Sequence, residues 1–396
     1  MDTARPLTGI TVLDLTQIYN GPYATFLLAA GGAQVIKIEP PGGEHLRRRA
    51  EGGFVLPFAA LNAGKRSLRL DLKTAQGRDI LRRLALGADV LVENFAPGVM
   101  VRLGLGAAAL QAANPRLIYA ASSGYGSDGP YRDYPAMDLT VQAMAGFMSI
   151  TGEADGPPMK AGPAVSDFLA GVHLYGAIVT ALLERERTGR ARGVEVSMLE
   201  ANVFPLLSAM SLLKPGDPPP ARVGNRHGGL SLSPYNVYPC ADGHIAIIVG
   251  NEGQWHGLLR AFGQQAVGED PRFRTVRERC AHMDLVDAMV GGWTAPHPKG
   301  HVFEMLLAER VPAAPVRTLD EVAEDPHMLA RGALERVEHP LYGPITVPHS
   351  PLRMGGLPVE AHVPTGALGE DGRAVLAELL GMDAVALDAL EADRVI

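Results

Sequence analysis

Short apolar, β-branched runs alternate with helical stretches over the first third of the chain, and this alternation limits the fold more than any other feature. The predicted strands are Ile10–Leu15, Ala33–Ile38, Ser67–Leu72, Asp89–Val92 and Arg116–Ala121. Helical patterns between them include Tyr23–Ala30 and Ala75–Leu86. Because strands separated by helices run in one direction within a sheet, the pattern predicts a parallel α/β sheet.

A segment rich in proline, glycine and charge, residues 213–231, divides the chain. Before it, apolar positions at helical spacing predict a long helix at Leu169–Arg187. After it, the pair Asp242-Gly243 between two apolar runs predicts a hairpin. Two further helices are predicted at Gly372–Leu380 and Ala384–Ala392. The sequence therefore predicts that a second unit begins at this segment.

Composition and charge exclude several classes of protein. At roughly 100–200 residues per domain, 396 residues suit two domains, and a net charge of -7 gives no general case for nucleic-acid binding. No stretch reaches the ~18 uninterrupted apolar residues of a membrane span. The two cysteines, Cys240 and Cys280, form no disulfide framework and favour a reducing, cytoplasmic location. Neither a nucleic acid nor a membrane is a predicted partner.

Neither a nucleotide fingerprint nor a metal site stands out in the sequence. The pattern Gly124–Gly129 matches GxGxxG, but Pro130 occupies the place where the phosphate-binding helix should begin. A second pattern at Gly104 follows no strand. His297 and His301 have helical ligand spacing with a proline between them, so no metal site is predicted. An NAD-dependent dehydrogenase is kept only as an alternative.

A basic run and the end of a strand are candidate contacts for an anionic ligand. The basic residues of the run are Lys65, Arg66, Arg69 and Lys73. Such runs are typical of a solvated face, but they also suit the phosphates of a bulky anionic cofactor. Asn94 and Phe95 end a predicted buried strand, where α/β sheets usually place ligand contacts, and Arg102 lies just beyond them.

Asp167 stands directly before the predicted long helix. The ordinary interpretation is a helix N-cap, which stabilises a helix by about 1 kcal/mol. The functional interpretation uses the same position, because the positive end of the helix dipole keeps a nearby carboxylate ionised. An ionised carboxylate suits a nucleophile and not a general acid.

Nine short motifs follow one another along the chain: Leu7–Thr16, Gly21–Ala24, Val35–Glu39, Asn62–Ser67, Leu70–Lys73, Val92–Phe95, Ser149–Gly152, Asp167–Gly171 and Thr188–Arg190. In this order they resemble the family III CoA-transferases, which include formyl-CoA transferase, carnitine CoA-transferase and the 2-methylacyl-CoA racemases. The resemblance implies a large, doubly wound, Rossmann-like α/β domain formed by both chain ends, a smaller α+β domain and an interlocked homodimer. The implied boundaries are residues 1–212 and 331–396 for the large domain and 225–330 for the small one.

The resemblance also implies a covalent mechanism with Asp167 as the nucleophile. In that family the aspartate attacks an acyl-CoA thioester, forms an aspartyl anhydride and then an aspartyl-CoA thioester, and passes CoA to a carboxylate acceptor. One thioester replaces another, so neither ATP nor a permanently bound cofactor is implied, and CoA is a substrate. Gly228 and Gly229 stand where formyl-CoA transferase has a glycine-rich loop over its active site.

Matching positions imply the contacts that CoA makes and the class of acyl group. The implied CoA contacts are Ile18, Leu72, Lys73, Asn94, Phe95 and Arg102. Pro40 replaces an arginine of the family, and Ala136 replaces a lysine of the formyl-CoA enzyme. The second change disfavours formyl-CoA and oxalate, and a C4–C6 dicarboxylic acyl-CoA is expected instead.

A 2-methylacyl-CoA racemase is the main alternative within the same resemblance. Racemases use a histidine directly before the aspartate that matches Asp138, paired with the aspartate that matches Asp167. Here that position is Met137, which cannot carry a proton. The racemase glutamate does have a counterpart in Glu252. Because one of two bases is missing, CoA transfer is favoured.

Overall fold

The computed structural model describes residues 5–49, 55–217, 221–340, 343–359 and 362–396. These residues form two compact units. The first, here called the sheet unit, comprises Met1–Ala145, Pro163–Val203 and Ala323–Ile396. The second, here called the hairpin unit, comprises Gly146–Gly162 and Phe204–Val322. The domain boundaries that the family resemblance implies, residues 1–212 with 331–396 for the large domain and 225–330 for the small one, stay a prediction.

A six-stranded parallel sheet lies at the centre of the sheet unit. Its strands are β1 (Thr11–Asp14), β2 (Gln34–Glu39), β3 (Arg66–Arg69), β4 (Val90–Glu93), β5 (Ile118–Ser123) and β6 (Val194–Ser197). Their order across the sheet is β3-β2-β1-β4-β5-β6, and every neighbouring pair is parallel. This is the doubly wound, Rossmann-like order, so the predicted parallel α/β sheet is confirmed.

Nineteen α-helices occur among the residues that the structure describes. In chain order they are α1 (Asn20–Ala30), α2 (His45–Arg48), α3 (Leu56–Leu61), α4 (Ala75–Gly87), α5 (Val99–Arg102), α6 (Ala107–Ala113), α7 (Asp138–Ala145), α8 (Phe147–Ile150), α9 (Val165–Thr188), α10 (Met198–Ala201), α11 (Leu207–Met210), α12 (Glu252–Ala261), α13 (Val276–Ala281), α14 (Met283–Thr294), α15 (Lys299–Ala308), α16 (Leu319–Ala323), α17 (Pro326–Ala330), α18 (Gly372–Leu380) and α19 (Ala384–Ala392). The predicted bounds of α18 and α19 are confirmed.

Alternate residues of the central strands point to opposite faces of the sheet and build two separate cores. Leu13, Ile36 and Leu91 belong to one core, together with residues of α4, α6, α18 and α19. Their neighbours Val12 and Val35 belong to the other core, together with residues of α1 and α9. Both faces of the sheet are thus covered, which leaves the ends of the strands for ligand contacts.

Helix α9 is long and apolar enough to cross a membrane by length and composition alone. In the structure Leu174, Ile178 and Leu182 of this helix are buried in the core that α9 forms with α1 and the sheet. Core helices of large α/β proteins pass the same length and composition test. The burial of these residues therefore identifies α9 as a core helix of the sheet unit.

The hairpin unit contains a three-stranded antiparallel sheet of β7 (Tyr235–Cys240), β8 (Gly243–Ile248) and β9 (Ala313–Pro315). The predicted hairpin at Asp242-Gly243 is confirmed by the antiparallel pairing of β7 with β8. Helices α12, α14 and α15 pack on this sheet around the buried ring of Trp255. A separate hairpin, β10 (Leu334–His339) with β11 (Gly343–Pro348), belongs to the sheet unit.

Candidate active site

Asp167 lies in the first turn of α9, which begins at Val165. The prediction that Asp167 precedes the helix and caps it is therefore wrong. The N-cap residue is Ala164, whose side chain makes no capping hydrogen bond. The missing acceptor comes from α7, because Asp138 Oδ1 accepts a hydrogen bond of 2.9 Å from the backbone N–H of Ser166. A carboxylate from 28 residues earlier thus caps α9.

The residues on either side of the capping bond are fixed by further hydrogen bonds. Gln142 Nε2 donates to Asp138 Oδ2 over 2.7 Å, one turn along α7. The fully buried hydroxyl of Ser166 accepts from Asn202 Nδ2 over 2.7 Å. These bonds hold the first turn of α9, and with it the backbone of Asp167, in one position.

The Asp167 side chain is only 9% exposed. Burial first, and then the negative charge of Asp138, raise the pKa of the Asp167 carboxyl to about 7. Among the residues that the structure describes, no hydrogen-bond donor offsets this effect. This direction opposes the expectation that the helix dipole keeps Asp167 ionised, because desolvation and a like charge both favour the protonated carboxyl.

The N-terminal turn of α1 lies directly against the first turns of α9. The ring of Phe168, next to Asp167, lies 5.9 Å from the ring of Tyr19 and 5.1 Å from that of Tyr23. A Cβ atom on Gly171 would lie 2.6 Å from the Asn20 carbonyl oxygen, so only glycine permits this approach. The segment after β1 is thereby brought next to Asp167.

The same segment is held from its other side by Asn94, which follows β4. Asn94 Oδ1 accepts from the Gln17 N–H and Asn94 Nδ2 donates to the Gln17 carbonyl, each over 2.8 Å. The next residue, Ile18, has a φ of +68°, a conformation that β-branched residues rarely adopt. Its N–H donates to Glu44 Oε2 over 3.2 Å. Asn94 and Glu44 together fix Ile18 in this strained conformation.

The other predicted CoA contacts lie at the same edge of the sheet. Leu72 and Phe95 are half-buried and pack against the core, whereas Lys73 and Arg102 are exposed. Phe95 also lines a cavity of about 380 Å³ beside β4, β5 and β6. The structure therefore places apolar contacts and two exposed cations beyond the carboxyl ends of β3 and β4.

Most of the predicted basic run is occupied by interactions within the protein. Lys65 is buried and donates to Asp14 Oδ2 over 2.9 Å, and also to Thr25 and Asn62. Arg66 pairs with Glu378 over 2.7 Å, and Arg69 donates to the main-chain oxygen of Ile396. The interpretation of the whole run as a phosphate-binding surface is wrong, because only Lys73 of the run is exposed.

Gly228 and Gly229 lie in a loop of the hairpin unit. His227 Nδ1 accepts from the Gly229 N–H over 3.2 Å, and Leu230 has a φ of +49°. The residue before this turn, Arg226, donates to Asp287 over 2.8 Å. Residues 227–230 therefore form a compact turn, and the ion pair of Arg226 with Asp287 fixes the residue before it.

The two positions that decide between transfer and racemisation are unsuited to proton exchange. Met137 is 54% exposed and has no titratable group. Glu252 accepts from Arg279 Nη1 and from the Val276 N–H, each over 2.8 Å. Although burial opposes the change, these bonds lower the pKa of Glu252, so its carboxylate is a structural anchor within the hairpin unit.

The surroundings of Gly124–Gly129 do not form a dinucleotide site. The pattern follows β5, but the next helix, α7, begins only at Asp138. Among the described residues, no helix therefore begins directly after this pattern, where a pyrophosphate site would need a helix N-terminus. Within the described ranges, no group of three or more His, Cys, Asp or Glu side chains could hold a metal ion.

Two residues of the site have roles that the sequence did not predict. The sequence marks Asp138 only as a neighbour of Met137 and gives no signal for Glu44. Glu44 caps α2 locally through the Leu46 N–H, but its bond to the Ile18 N–H and the bond from the Ser166 N–H to Asp138 join residues 26 and 28 positions apart. The short motifs of the sequence carry no signal for contacts across such a separation.

Comparisons with known proteins match most of the chain. The profile of CoA-transferase family III matches residues 7–372. Succinate–glutarate CoA-transferase of Agrobacterium fabrum is 38% identical over 94% of this chain and 96% of its own length. Acetyl-CoA:oxalate CoA-transferase of Acetobacter aceti is 37% identical over 96% and 97%. The crystal structure of a CAIB/BAIF family protein from Brucella suis has a TM-score of 0.85 at 33% identity, covering 95% of this chain and all of that one.

Proposed function

Because the chain belongs to CoA-transferase family III and is a CoA-transferase, we propose that it moves CoA from a small dicarboxylic acyl-CoA to a carboxylate acceptor through Asp167. The family resemblance stated from the motifs is confirmed. The observation that carries the proposed role of Asp167 is its carboxyl, buried at the start of α9 with no described hydrogen-bond donor. A desolvated carboxylate is a stronger nucleophile than a hydrated one.

The proposed reaction exchanges the thioester in four substitutions at carbonyl carbons. The Asp167 carboxylate attacks the donor thioester, the C–S bond breaks, and CoA thiolate leaves an aspartyl anhydride. The thiolate then attacks the aspartyl carbonyl, which releases the donor acid and leaves an aspartyl-CoA thioester. The acceptor carboxylate displaces the thiolate to give a second anhydride. Attack of the thiolate on the acceptor carbonyl forms the new acyl-CoA and restores the Asp167 carboxylate.

The environment of Asp167 suits this sequence of steps. Each substitution passes through an oxyanion, and because Asp138 and Ala164 already occupy the Ser166 and Phe168 N–H groups at the start of α9, its stabilisation needs a further N–H donor. Burial also limits the access of water, which would hydrolyse the anhydride or the aspartyl thioester. The charge of Asp138 raises the free energy of ionised Asp167 before reaction, and acylation removes that charge repulsion.

We propose that the carboxyl edge of the sheet binds CoA through Ile18, Leu72, Lys73, Asn94, Phe95 and Arg102. The exposed ammonium of Lys73 and guanidinium of Arg102 suit its phosphates. Leu72 and Phe95 supply apolar contact, and Asn94 acts through the backbone of Gln17 and Ile18. Gly228 and Gly229 are proposed as the active-site loop, since glycines permit close backbone approach.

A C4–C6 dicarboxylic acid is the proposed acyl group. The relative from Agrobacterium fabrum is named for succinate and glutarate, which have four and five carbons. CoA and the two acids are then the only partners that the reaction needs, with no permanently bound cofactor. We also propose a cytoplasmic location and a homodimer. The homodimer is supported by exposed apolar side chains of α9, including Val172 and Leu183, which suit burial against a second chain.

Trapping the covalent intermediate tests the proposed function. The purified protein is incubated with succinyl-CoA and then with hydroxylamine, which converts an aspartyl anhydride or thioester to a hydroxamate. We expect a mass change on the peptide that contains Asp167, and none when glutarate is supplied without an acyl-CoA. If a broad panel of acyl-CoAs leaves that peptide unmodified, the covalent role of Asp167 is wrong. Exchange of the α-hydrogen of a 2-methylacyl-CoA would instead indicate a racemase.

The charge of Asp138 should contribute, after burial, to the pH dependence of the reaction. Asp167 must be ionised to attack, so kcat/KM of the wild type should rise with pH through an apparent pKa near 7. Asp138→Asn removes the like charge but keeps an oxygen that can accept from the Ser166 N–H. Its acidic limb should move to lower pH by about one unit.

A matched control for the pH profile is Asp79→Asn, an exposed position on α4. It should leave the profile where the wild type has it. An unchanged profile in Asp138→Asn as well would show that Asp138 does not influence the ionisation of Asp167.

A further inference from the structure

A cavity of about 220 Å³ lies in the sheet unit beside the C-terminal end of α1. The segment at Arg5, the pair Ala63-Gly64 and the chain that follows β11 form its other sides. The Gly64 N–H donates to the Val363 carbonyl over 3.0 Å and joins two of these sides. Since drug-sized ligands occupy roughly 300–1,000 Å³, this cavity suits a ligand of only a few carbon atoms.

The cavity and Asp167 lie at opposite ends of α1. At the N-terminal end, the rings of Tyr19 and Tyr23 contact Phe168, the neighbour of Asp167. At the C-terminal end, Ala30 lines the cavity. The 11 residues of α1 span about 16 Å. The cavity is therefore separate from the candidate active site, and the proposed mechanism uses none of its residues.

Two arginines line the cavity and are held at the same segment of chain. Arg5 Nη2 donates to the Pro358 carbonyl over 3.1 Å. Arg353 Nη2 donates to the Gly332 carbonyl over 3.0 Å, and a Cβ atom on Gly332 would lie 3.7 Å from the side chain of Val359. Both guanidinium groups are thus anchored around Pro358 and Val359. Because a guanidinium has five N–H donors, this one bond leaves Arg353 able to bind a ligand as well.

The charge around the cavity favours an anion. Among the described residues that line it, none is acidic. His349 and His362 line it too, and Glu335 Oε2 lies 2.7 Å from His349 Nε2 and accepts from the His362 N–H over 3.0 Å. Burial first, and then the charges of His349 and His339, lower the pKa of His362, so its ring is neutral at pH 7. The net positive charge therefore comes from the two arginines.

The rest of the lining is apolar and partly open to solvent. Four of its apolar side chains are at least 40% exposed: Leu352, Met354, Val359 and Val363. The carbonyl groups at the end of α1 would repel an anion, but Arg5 Nη1 donates to the Ala30 carbonyl over 3.0 Å and offsets that effect. Exposed apolar side chains beside two cations suit a ligand with an anionic head and an apolar body.

We propose that this cavity binds a short-chain carboxylic acid, with its carboxylate on Arg5 and Arg353 and its carbon chain against the apolar side chains. Paired N–H donors of a guanidinium match the two oxygens of a carboxylate. Each CH₂ group that the cavity removes from water adds to the affinity. The inference goes beyond CoA transfer and does not depend on the role of Asp167.

Calorimetric titrations of the purified protein with hexanoate, hexanamide and acetate test both parts of the proposed ligand. Hexanamide lacks the charge of hexanoate, and acetate lacks its chain. We expect hexanoate to bind at least about tenfold more tightly than either. Arg353→Gln should weaken hexanoate about tenfold and leave hexanamide unchanged.

Chemical labelling locates the bound acid. Phenylglyoxal modifies exposed arginines, and the modified peptides are identified by mass. Hexanoate should slow the modification of Arg353, whereas hexanamide should not. Modification of Arg83, an exposed residue of α4 on the other face of the sheet, should be unaffected by either compound.

Arg83→Gln is the matched control variant and should bind hexanoate as the wild type does. Equal affinities for hexanoate and hexanamide, or an unchanged hexanoate affinity in Arg353→Gln, would overturn the proposal. So would absence of hexanoate binding, and a dimer that dissociates in Arg353→Glu would then show that a second chain covers the cavity. Because the titrations need no turnover, failure to trap an adduct on Asp167 would count against the proposed function alone.

Discussion

Asp167→Ala is expected to lower kcat for CoA transfer by at least about 10⁴-fold, since every proposed intermediate is covalently attached to this carboxyl. Asp167→Asn should be equally inactive, because an amide nitrogen cannot displace a thiolate and then leave again. Transfer is measured by chromatographic separation of the donor and acceptor acyl-CoA thioesters. Activity close to that of the wild type in either variant would remove Asp167 from the mechanism.

Folding stability separates loss of chemistry from loss of structure in these variants. The folded-state pKa of Asp167, about 7, lies above its ordinary value of 3.8. Its contribution to stability is therefore greatest below pH 4 and is lost as the pH rises through 7. Asp167→Asn avoids this loss, so at pH 8 its free energy of unfolding should exceed that of the wild type by roughly 1–3 kcal/mol. An inactive variant that is also less stable at pH 8 would contradict this expectation.

Asp14→Ala should lower the free energy of unfolding by about 3–5 kcal/mol, because it breaks a buried cluster of charges. Asp14 is fully buried at the end of β1, 2.9 Å from Lys65 Nζ and 3.6 Å from Lys37 Nζ. Both lysines are buried as well, so removing the carboxylate takes the nearest counter-charge from two positive charges that lie away from water. The free energy of unfolding is measured by urea titration at pH 7.

A comparison variant shows whether charge or packing causes that effect. Asn62→Ala removes one neutral acceptor of Lys65 and should cost only about 1–2 kcal/mol. Burial opposes ionisation of Asp14, but Lys37 and Lys65 hold its pKa well below the ordinary value. The stability that ionised Asp14 contributes through Lys37 and Lys65 is therefore present above pH 4 and is lost as the pH falls further. If Asp14→Ala lowers the free energy of unfolding no more than Asn62→Ala does, loss of the negative charge beside Lys37 and Lys65 does not destabilise the folded protein.

The strands and the terminal helices could be predicted from the sequence because their signals are local. A run such as Ile10–Leu15 has the β-branched composition of a buried parallel strand, and the structure has β1 at Thr11–Asp14. The bounds of α18 follow from its apolar spacing and a following glycine, Gly381, in the left-handed conformation. In each case the deciding interactions lie within a few residues of the element.

The candidate site could be predicted only in part, because its deciding interactions join distant residues. A local reading of Asp167 gave an N-cap, whereas the cap is supplied by Asp138 from α7. A local reading of Lys65 gave a surface cation, whereas Asp14 and Thr25 bind it in the interior. The ionisation of Asp167 depends on burial, which no single-residue pattern encodes.

The capping of α9 by Asp138 has a consequence for how such a protein can change during evolution. Between these two residues the chain leaves the sheet unit and returns, contributing Gly146–Gly162 to the hairpin unit. The bond from Asp138 to Ser166 closes this excursion at its base. A change in the length of this excursion outside the motif Ser149–Gly152 is therefore expected to leave the start of α9, and with it Asp167, in place. Length variation in this part of the chain is thus separated from the position of the proposed nucleophile.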